Sequence, residues 1–310
     1  MRILLLEKSH AAYTAVLRKT VPELEFVAGD EPAVMAEAAR GCPIWFGQPD
    51  QLAYLLSKGI TPRWLHSTWA GIRPLLCDKL PSDYVLTRAV GVFGQLMAEY
   101  VLTHLLAHER QVASRMYAQA ERRWDARVPG SLAGRNILIV GAGDIGRDVA
   151  HYLLPFGVSV RGIARAPRAI PGFEQVLGLS ELSVEVGEAD YIISLLPDTP
   201  ATANLYTQAL FARMKPSAVF INAGRGTAVV DADLVAALEA GQLAGAVLDV
   251  FREEPLPCDH PFWTAPRLTI TSHTAAVDAL YPTVRLFLGN LKRFQQGEPL
   301  RGQVDFTKGY

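Results

Sequence analysis

Short apolar runs alternate with amphipathic stretches along most of this chain. Arg2–Leu6 is a compact apolar segment, and Ala11–Lys19 follows it with helical spacing. Ile44–Gly47, Trp64–Ser67 and Tyr84–Arg88 repeat the strand-like pattern. Then the pattern changes. From Gln95 to about Tyr117 the spacing predicts one long helix, with Tyr100, Val101, Leu105 and Val112 recurring on it and no glycine or proline to interrupt. After the turn signal Pro129–Gly130 the alternation resumes. Strands are predicted over Asn136–Val140, Ser159–Ala164, Tyr191–Leu195, Ala218–Asn222, Gly245–Asp249 and Leu268–Thr271, and helices over Ile145–Phe156, Asp233–Ala240 and Val284–Gln296.

Strands that alternate with helices point to an α/β protein built on parallel sheets. Two such series predict two Rossmann-like or flavodoxin-like domains: residues 1–98 completed by 280–310, and residues 99–279. The active-site cleft is expected between them. A hinge there would close on a ligand and exclude water.

Composition narrows the classes. Thirty basic residues against thirty-one acidic ones leave a formal charge of −1, which argues against a protein made to cover nucleic acid or an anionic membrane. Mean hydropathy is +0.15, yet no apolar run reaches the roughly 18 residues of a membrane span. Ile3–Leu6 is too short for a signal-peptide core and runs straight into Glu7 and Lys8. Cys42, Cys77 and Cys258 are far apart and odd in number, so neither a disulfide framework nor a zinc cluster is expected. A cytoplasmic protein is predicted. His104 and His108 stand four apart on the long helix, but no glutamate follows His104 and no third ligand is evident, so no metal is expected. The charged run Glu121–Arg127 reads as a solvated face in which Trp124 offers packing to a partner subunit.

The strongest chemical signal is a glycine turn. Asn136–Val140 runs directly into Gly141-Ala-Gly143-Asp144-Ile145-Gly146 and then into a helix, the context that a dinucleotide fingerprint requires. Gly141 suits a tight turn, Gly143 lets backbone approach a pyrophosphate, and Gly146 lets helix and strand pack closely. Asp144 and Ile145 begin the helix, whose N–H groups and dipole favour phosphate. About 20 residues further on, an NAD site usually carries an acid for the ribose hydroxyls. The stretch Val160–Arg168 has none and offers Arg165 and Arg168, which would neutralise a 2′-phosphate. NADP(H) is therefore preferred, with NAD(H) as the alternative.

Three further strand ends carry chemistry. Arg225 follows the strand ending at Asn222, Glu254 lies beyond the strand ending at Asp249, and His273 follows the last strand. Parallel sheets bind ligands at such carboxyl ends. A guanidinium grips a carboxylate with two parallel hydrogen bonds. An imidazole hands over a proton near neutral pH, and a carboxylate beside it stabilises the imidazolium. Trp45, Trp69 and Phe93 are large aromatics near strand ends or loops, with Trp45 and Trp69 the better candidates to line a substrate pocket.

GAGDIG (141–146), SLLPDTPAT (194–202), MKPSAVFINAGRG (214–226), AGAVLDVFREEPLP (244–257) and TITSHTAA (269–276) together resemble the D-isomer-specific 2-hydroxyacid dehydrogenases. The resemblance spans about residues 95–280 in the family's order. SLLPDTP, REEPLP and the arginine-bearing ribose loop look most like its glyoxylate/hydroxypyruvate reductases. The resemblance implies that Arg225 binds the substrate carboxylate, that His273 is the general acid in reduction, and that Glu254 holds His273. It also implies that Asp249 meets the nicotinamide carboxamide and that Leu196, Pro197 and Ala223 lie near the cofactor. Ser67-Thr-Trp69-Ala70-Gly71-Ile72 resembles a loop whose backbone N–H groups bind the carboxylate. Two positions depart from the family pattern: Ser272 stands where many members have proline before the histidine, and Arg73 stands where an acid is usual.

The function expected is reduction of small 2-oxo acids such as glyoxylate and hydroxypyruvate by a homodimeric, NADP(H)-preferring enzyme. The long helix from Gln95 is the expected dimer face. A dinucleotide-sensing regulator on the same fold is the alternative of another class, and a dehydrogenase for a larger or phosphorylated D-2-hydroxy acid the alternative within the same one.

Overall fold

The computed structural model describes residues 1–277 and 279–307. The chain forms two compact units, Met1–Val92 with Asp278–Tyr310, and Phe93–Val277. The expected boundary at 98/99 falls inside a helix that belongs wholly to the second unit, and the last three residues of the expected segment 280–310 lie outside the described residues.

The first unit alternates strand and helix: β1 (Arg2–Leu6), α1 (His10–Thr20), β2 (Glu25–Gly29), α2 (Pro32–Arg40), β3 (Ile44–Gly47), α3 (Pro49–Ser57), β4 (Trp64–Ser67) and β5 (Val85–Thr87). Its five strands are all parallel in the order β2-β1-β3-β4-β5, the flavodoxin-like order. Proline opens both α2 and α3, where its missing N–H has no partner to lose. Strand β2 has no counterpart among the expected strands. It is an edge strand only partly covered on either face, so no continuous apolar run marks it. The C-terminal helix, Leu280–Gln296, returns to this unit. It buries Val284, Phe287 and Leu291 at i, i+3 and i+7, with the Phe287 ring stacked on Phe46 at 4.2 Å and on Trp64 at 5.3 Å.

The second unit opens with α4 (Gly94–Glu109) and α5 (Val112–Ala120) where one long helix was expected. Gln111 between them adopts φ 55°. The cause is tertiary. The Glu109 carbonyl accepts from Gly130 N at 2.9 Å, and the Glu109 carboxylate accepts from Arg135 Nε at 2.7 Å and Tyr191 Oη at 2.7 Å. Helix continuation gives way to these anchors at the last turn of α4.

Then follow β6 (Asn136–Val140), α6 (Asp144–Leu153), β7 (Ser159–Ala164), β8 (Gln175–Gly178), α7 (Leu182–Glu188), β9 (Tyr191–Ser194), α8 (Gln208–Phe211), β10 (Val219–Asn222), α9 (Asp231–Glu239), β11 (Gly245–Leu248) and β12 (Leu268–Ile270). The C-terminal helix is α10. All seven strands run parallel in the order β12-β11-β10-β9-β6-β7-β8. Counted from β6, this is the doubly wound 3-2-1-4-5-6 order with one strand added, and the order reverses between β6 and β9. Strands β9, β10 and β11 are buried at every position, as strands covered on both faces must be. Among the described residues no helix is long and apolar enough to cross a membrane, and no group of three or more His, Cys, Asp and Glu is placed to hold a metal.

Candidate active site

The turn after β6 sits at the reversal point. Gly141 has φ 112°, a region closed to residues with a Cβ, and a Cβ there would also lie 2.7 Å from the Leu195 carbonyl oxygen. A Cβ on Gly146 would collide with the Gly141 carbonyl, so α6 can start this close to its strand only with glycine. Gly143 differs. It is exposed, and a Cβ built on it meets nothing within 4 Å. The turn thus has two glycines pressed on protein and one facing open space, above the N-terminus of a ten-residue helix. Backbone N–H groups at such a helix start can receive an anion. Asp144 and Ile145 are half-buried at its first turn, and Asp144 accepts from Arg147 at 3.0 Å.

The ribose end of this turn is basic. Beyond β7, Arg165 and Arg168 are exposed, and Arg168 Nη2 donates to the Ala142 carbonyl at 3.1 Å. One of the two expected arginines is therefore tied to the glycine turn itself. No acid occupies Val160–Arg168. The groups present fit a dinucleotide with a phosphate on its ribose.

Arg225, Glu254 and His273 lie on loops after β10, β11 and β12, which are neighbours in the sheet. His273 Nδ1 meets Glu254 Oε2 at 2.7 Å, and Glu254 Oε1 accepts from Phe251 N at 2.8 Å. A carboxylate only accepts, so Nδ1 carries a hydrogen and Nε2 is the nitrogen left for proton exchange. The pair is accessible: half of the His273 side chain and 35% of that of Glu254 are exposed. Arg225 lies deeper. Burial pulls its proton affinity down, and Glu254 and Asp198 oppose that pull. Glu254 is thus a neighbour of both the imidazole and the guanidinium. A Cβ on Gly226 would collide with the Phe251 backbone, so the Arg225 and Glu254 loops pack directly on one another.

Several residues outside the expected set hold this geometry. Asn222, fully buried, donates to the Arg225 carbonyl at 3.0 Å and accepts from Gly224 N at 3.2 Å. Arg252 clamps the Glu254 loop through the Val229 carbonyl at 2.9 Å and through Asn204. The only advance signal for either was its place inside INAGRG and DVFREEP. Leu196 and Ala223 are buried beside the turn's strand ends, and Pro197 is exposed on a loop stapled by the Thr202 hydroxyl, 2.6 Å from the Pro197 carbonyl. Asp249, expected at the nicotinamide, is only 1% exposed. Its carboxylate accepts from Thr271 Oγ1 at 2.6 Å, Thr274 N at 2.8 Å and Ala275 N at 3.0 Å.

In the first unit, Trp45 does not line a pocket. It is fully buried among Leu52, Leu55 and Leu65, with its indole N–H on the Cys42 carbonyl at 3.0 Å. A strand residue facing two covering helices has no route to a ligand. Trp69 is 43% exposed, and Ala70 and Gly71 are half-buried, on the loop after β4. That loop is braced by Thr68, whose hydroxyl donates to Glu7 Oε2 at 2.7 Å. His104 packs its ring edge-on against Tyr100 at 4.6 Å, and His108 meets Tyr191 Oη at 2.9 Å.

A doubly wound sheet with a glycine turn at its reversal point is the arrangement of dinucleotide-binding domains. The family described as D-isomer specific 2-hydroxyacid dehydrogenase, NAD binding domain, matches residues 102–275. Glyoxylate/hydroxypyruvate reductase A of Yersinia enterocolitica is 39% identical over 274 residues, 86% of each chain. A D-isomer specific 2-hydroxyacid dehydrogenase family protein from Aeromonas salmonicida, 39% identical, superposes with a TM-score of 0.91 over 98% of this chain and 99% of that one. An NADPH-dependent glyoxylate/hydroxypyruvate reductase from Sinorhizobium meliloti, solved in complex with NADP and sulfate, is 30% identical with a TM-score of 0.85 over 100% and 99%. This chain belongs to the D-isomer specific 2-hydroxyacid dehydrogenase family and is an NAD(P)-dependent enzyme of it.

Proposed function

We propose that this enzyme reduces glyoxylate, hydroxypyruvate and similar short 2-oxo acids to 2-hydroxy acids, with NADPH preferred over NADH. The single observation that carries the reading is the Glu254–His273 pair at 2.7 Å, with the half-buried Arg225 as the neighbour of Glu254. When bound, the reduced nicotinamide supplies the hydride that the 2-oxo carbon takes up. Arg225 holds the substrate carboxylate. It remains charged despite its burial, and one of its five donors meets the Gly224 carbonyl at 2.6 Å. His273 gives the proton from Nε2 to the former carbonyl oxygen, and Glu254 keeps Nδ1 as the donor toward itself. Holding the acid by its carboxylate fixes the carbonyl for both transfers.

The cofactor is held by Gly141, Gly143 and Gly146 with the start of α6, by Arg165 and Arg168 at the ribose phosphate, and by Leu196, Pro197 and Ala223 along the strand ends. In the first unit, the backbone N–H groups of Ala70 and Gly71 are our candidates for anion donors, since that of Trp69 already donates to Ser67 Oγ at 3.1 Å. The names of the relatives from Yersinia and Sinorhizobium support the choice of substrate and of NADPH. A homodimer is also proposed, over the apolar surface of Tyr117 and Trp124, which is 92% exposed; light scattering of the purified protein tests it.

The deciding experiment is a panel of initial rates for glyoxylate, hydroxypyruvate, pyruvate and a phosphorylated 2-oxo acid with each nicotinamide. The reading expects the first two with NADPH to give the highest kcat/KM. Preference for the phosphorylated acid, or no turnover with any of them, overturns it.

A further inference from the structure

His273 occupies a backbone conformation that only nearby restraints maintain. Its φ is 54°, a left-handed region that residues with a Cβ seldom enter. That conformation sets the direction in which the imidazole leaves the chain. Several of the restraints come from one residue. The Asp249 carbonyl accepts from His273 N at 2.8 Å, and the Asp249 carboxylate accepts from the next two amides and from Thr271.

Thr271 extends this clamp. Its Oγ1 lies 2.6 Å from Asp249 Oδ1 and 2.9 Å from Tyr100 Oη. A hydroxyl has one hydrogen, and the carboxylate takes it, so Tyr100 must donate to Thr271. Burial raises the Tyr100 hydroxyl well above its usual range, which keeps that donor protonated. The direction of the chain is therefore fixed as Tyr100 to Thr271 to Asp249.

Tyr100 stands on α4, whose Met97, Ala98, Val101 and Leu105 are buried in the core with Val149, Ala150 and Leu153 of α6. The irregular loop that carries His273 is thus referred to a packed helix 171 residues away in sequence.

We infer that Tyr100 is a positioning residue for proton delivery, holding the His273 loop in its left-handed conformation through Thr271 and Asp249. The inference rests on the reading that His273 gives the proton. Chemically, the relay moves no proton to substrate. It keeps the Asp249 carboxylate aligned on the Thr274 and Ala275 amides, beside the His273 amide on the Asp249 carbonyl, so that Nε2 stays within reach of the substrate oxygen.

The test compares Tyr100→Phe, Thr271→Val and Thr271→Ser in the full-length enzyme with glyoxylate and NADPH. Tyr100→Phe is expected to lower kcat by about threefold to tenfold, the worth of one hydrogen bond, with KM and the NADPH Kd within about twofold. The solvent isotope effect on kcat should rise, because a displaced imidazole makes proton transfer slower. Thr271→Val should do more and Thr271→Ser should restore the wild-type values. Hydrogen exchange of the cofactor-free protein gives an independent readout: amides of residues 271–275 should exchange faster in Tyr100→Phe and Thr271→Val and normally in Thr271→Ser. Unchanged exchange there in Tyr100→Phe overturns the inference whatever the kinetics. If His273→Ala keeps normal turnover, the proton-donor reading has failed, and exchange alone then decides whether the relay holds the loop.

Discussion

The two parallel sheets end in opposite kinds of chemistry. In the second unit the loops beyond β10, β11 and β12 carry a guanidinium, a carboxylate and an imidazole, and the last two reach solvent. In the first unit two polar side chains at or on the sheet, Glu7 and His66, are sealed. Glu7 is buried under Thr68, and burial raises its carboxyl above the usual range. His66 is fully buried with Nδ1 on Thr87 at 2.6 Å and its proton affinity pushed down to about 3. The same architecture thus supports two regimes: charge kept available where loops are irregular and open, and charge suppressed where β4 runs between covered faces. The reason is desolvation, which acts against any ionised group that lacks a partner.

The comparison breaks most sharply at His273. Replacement by alanine should lower kcat for 2-oxo acid reduction by roughly 10²–10⁴-fold, with the NADPH Kd unchanged by fluorescence titration. A variant with near-normal turnover would show that the open imidazole is as idle chemically as the sealed one. A smaller effect is expected at the glycine turn's basic rim. Arg165→Ala combined with Arg168→Ala should weaken NADPH by about tenfold to a hundredfold, roughly one charge-assisted hydrogen bond's worth for two solvent-screened arginines, while NADH changes little. Because Arg168 also touches the turn at Ala142, the NADH arm separates phosphate recognition from damage to the turn; equal losses for both would remove the 2′-phosphate role.

The smallest effect sharpens the sealed side. Folded His66 titrates at about 3 and its ordinary value is 6.5. Above pH 7 neither folded nor unfolded chain holds the proton, so nothing is lost. Between pH 6.5 and 3 the unfolded chain takes up a proton that the fold excludes, and stability falls as pH drops. At pH 5.5 the loss is on the order of 1 kcal/mol. Denaturant unfolding at pH 7.5 and 5.5 should show this difference between wild type and His66→Gln, whose unfolding lacks that component. Equal pH dependence in the two proteins would place His66 in contact with water.

Legibility divided the strands within each unit. The second unit's strands could be read because a strand buried on both faces must be continuously apolar, as Tyr191–Ser194 and Val219–Asn222 are. The edge strands β2 and β8 carry only partial burial, and the pattern passed over them. The glycine turn was legible because backbone geometry forbids a side chain at Gly141 and Gly146. Trp45 shows the opposite case: a large aromatic near a strand end reads equally as pocket or core, and only the packing of Leu52 and Leu55 decides.

What the sequence determined by itself was local: which stretches are strands or helices, where glycine is compulsory, and which charged side chains follow which strand. Those follow from periodicity and from the sterics of a few consecutive residues. Only the tertiary structure decided that Gly130 and Arg135 end α4 at Glu109, and that Asp249 faces the His273 loop. It also decided that Tyr100 reaches Thr271. Each of these depends on donors and acceptors far apart in the chain, and a buried polar atom selects its partner from whatever the fold brings within hydrogen-bond reach.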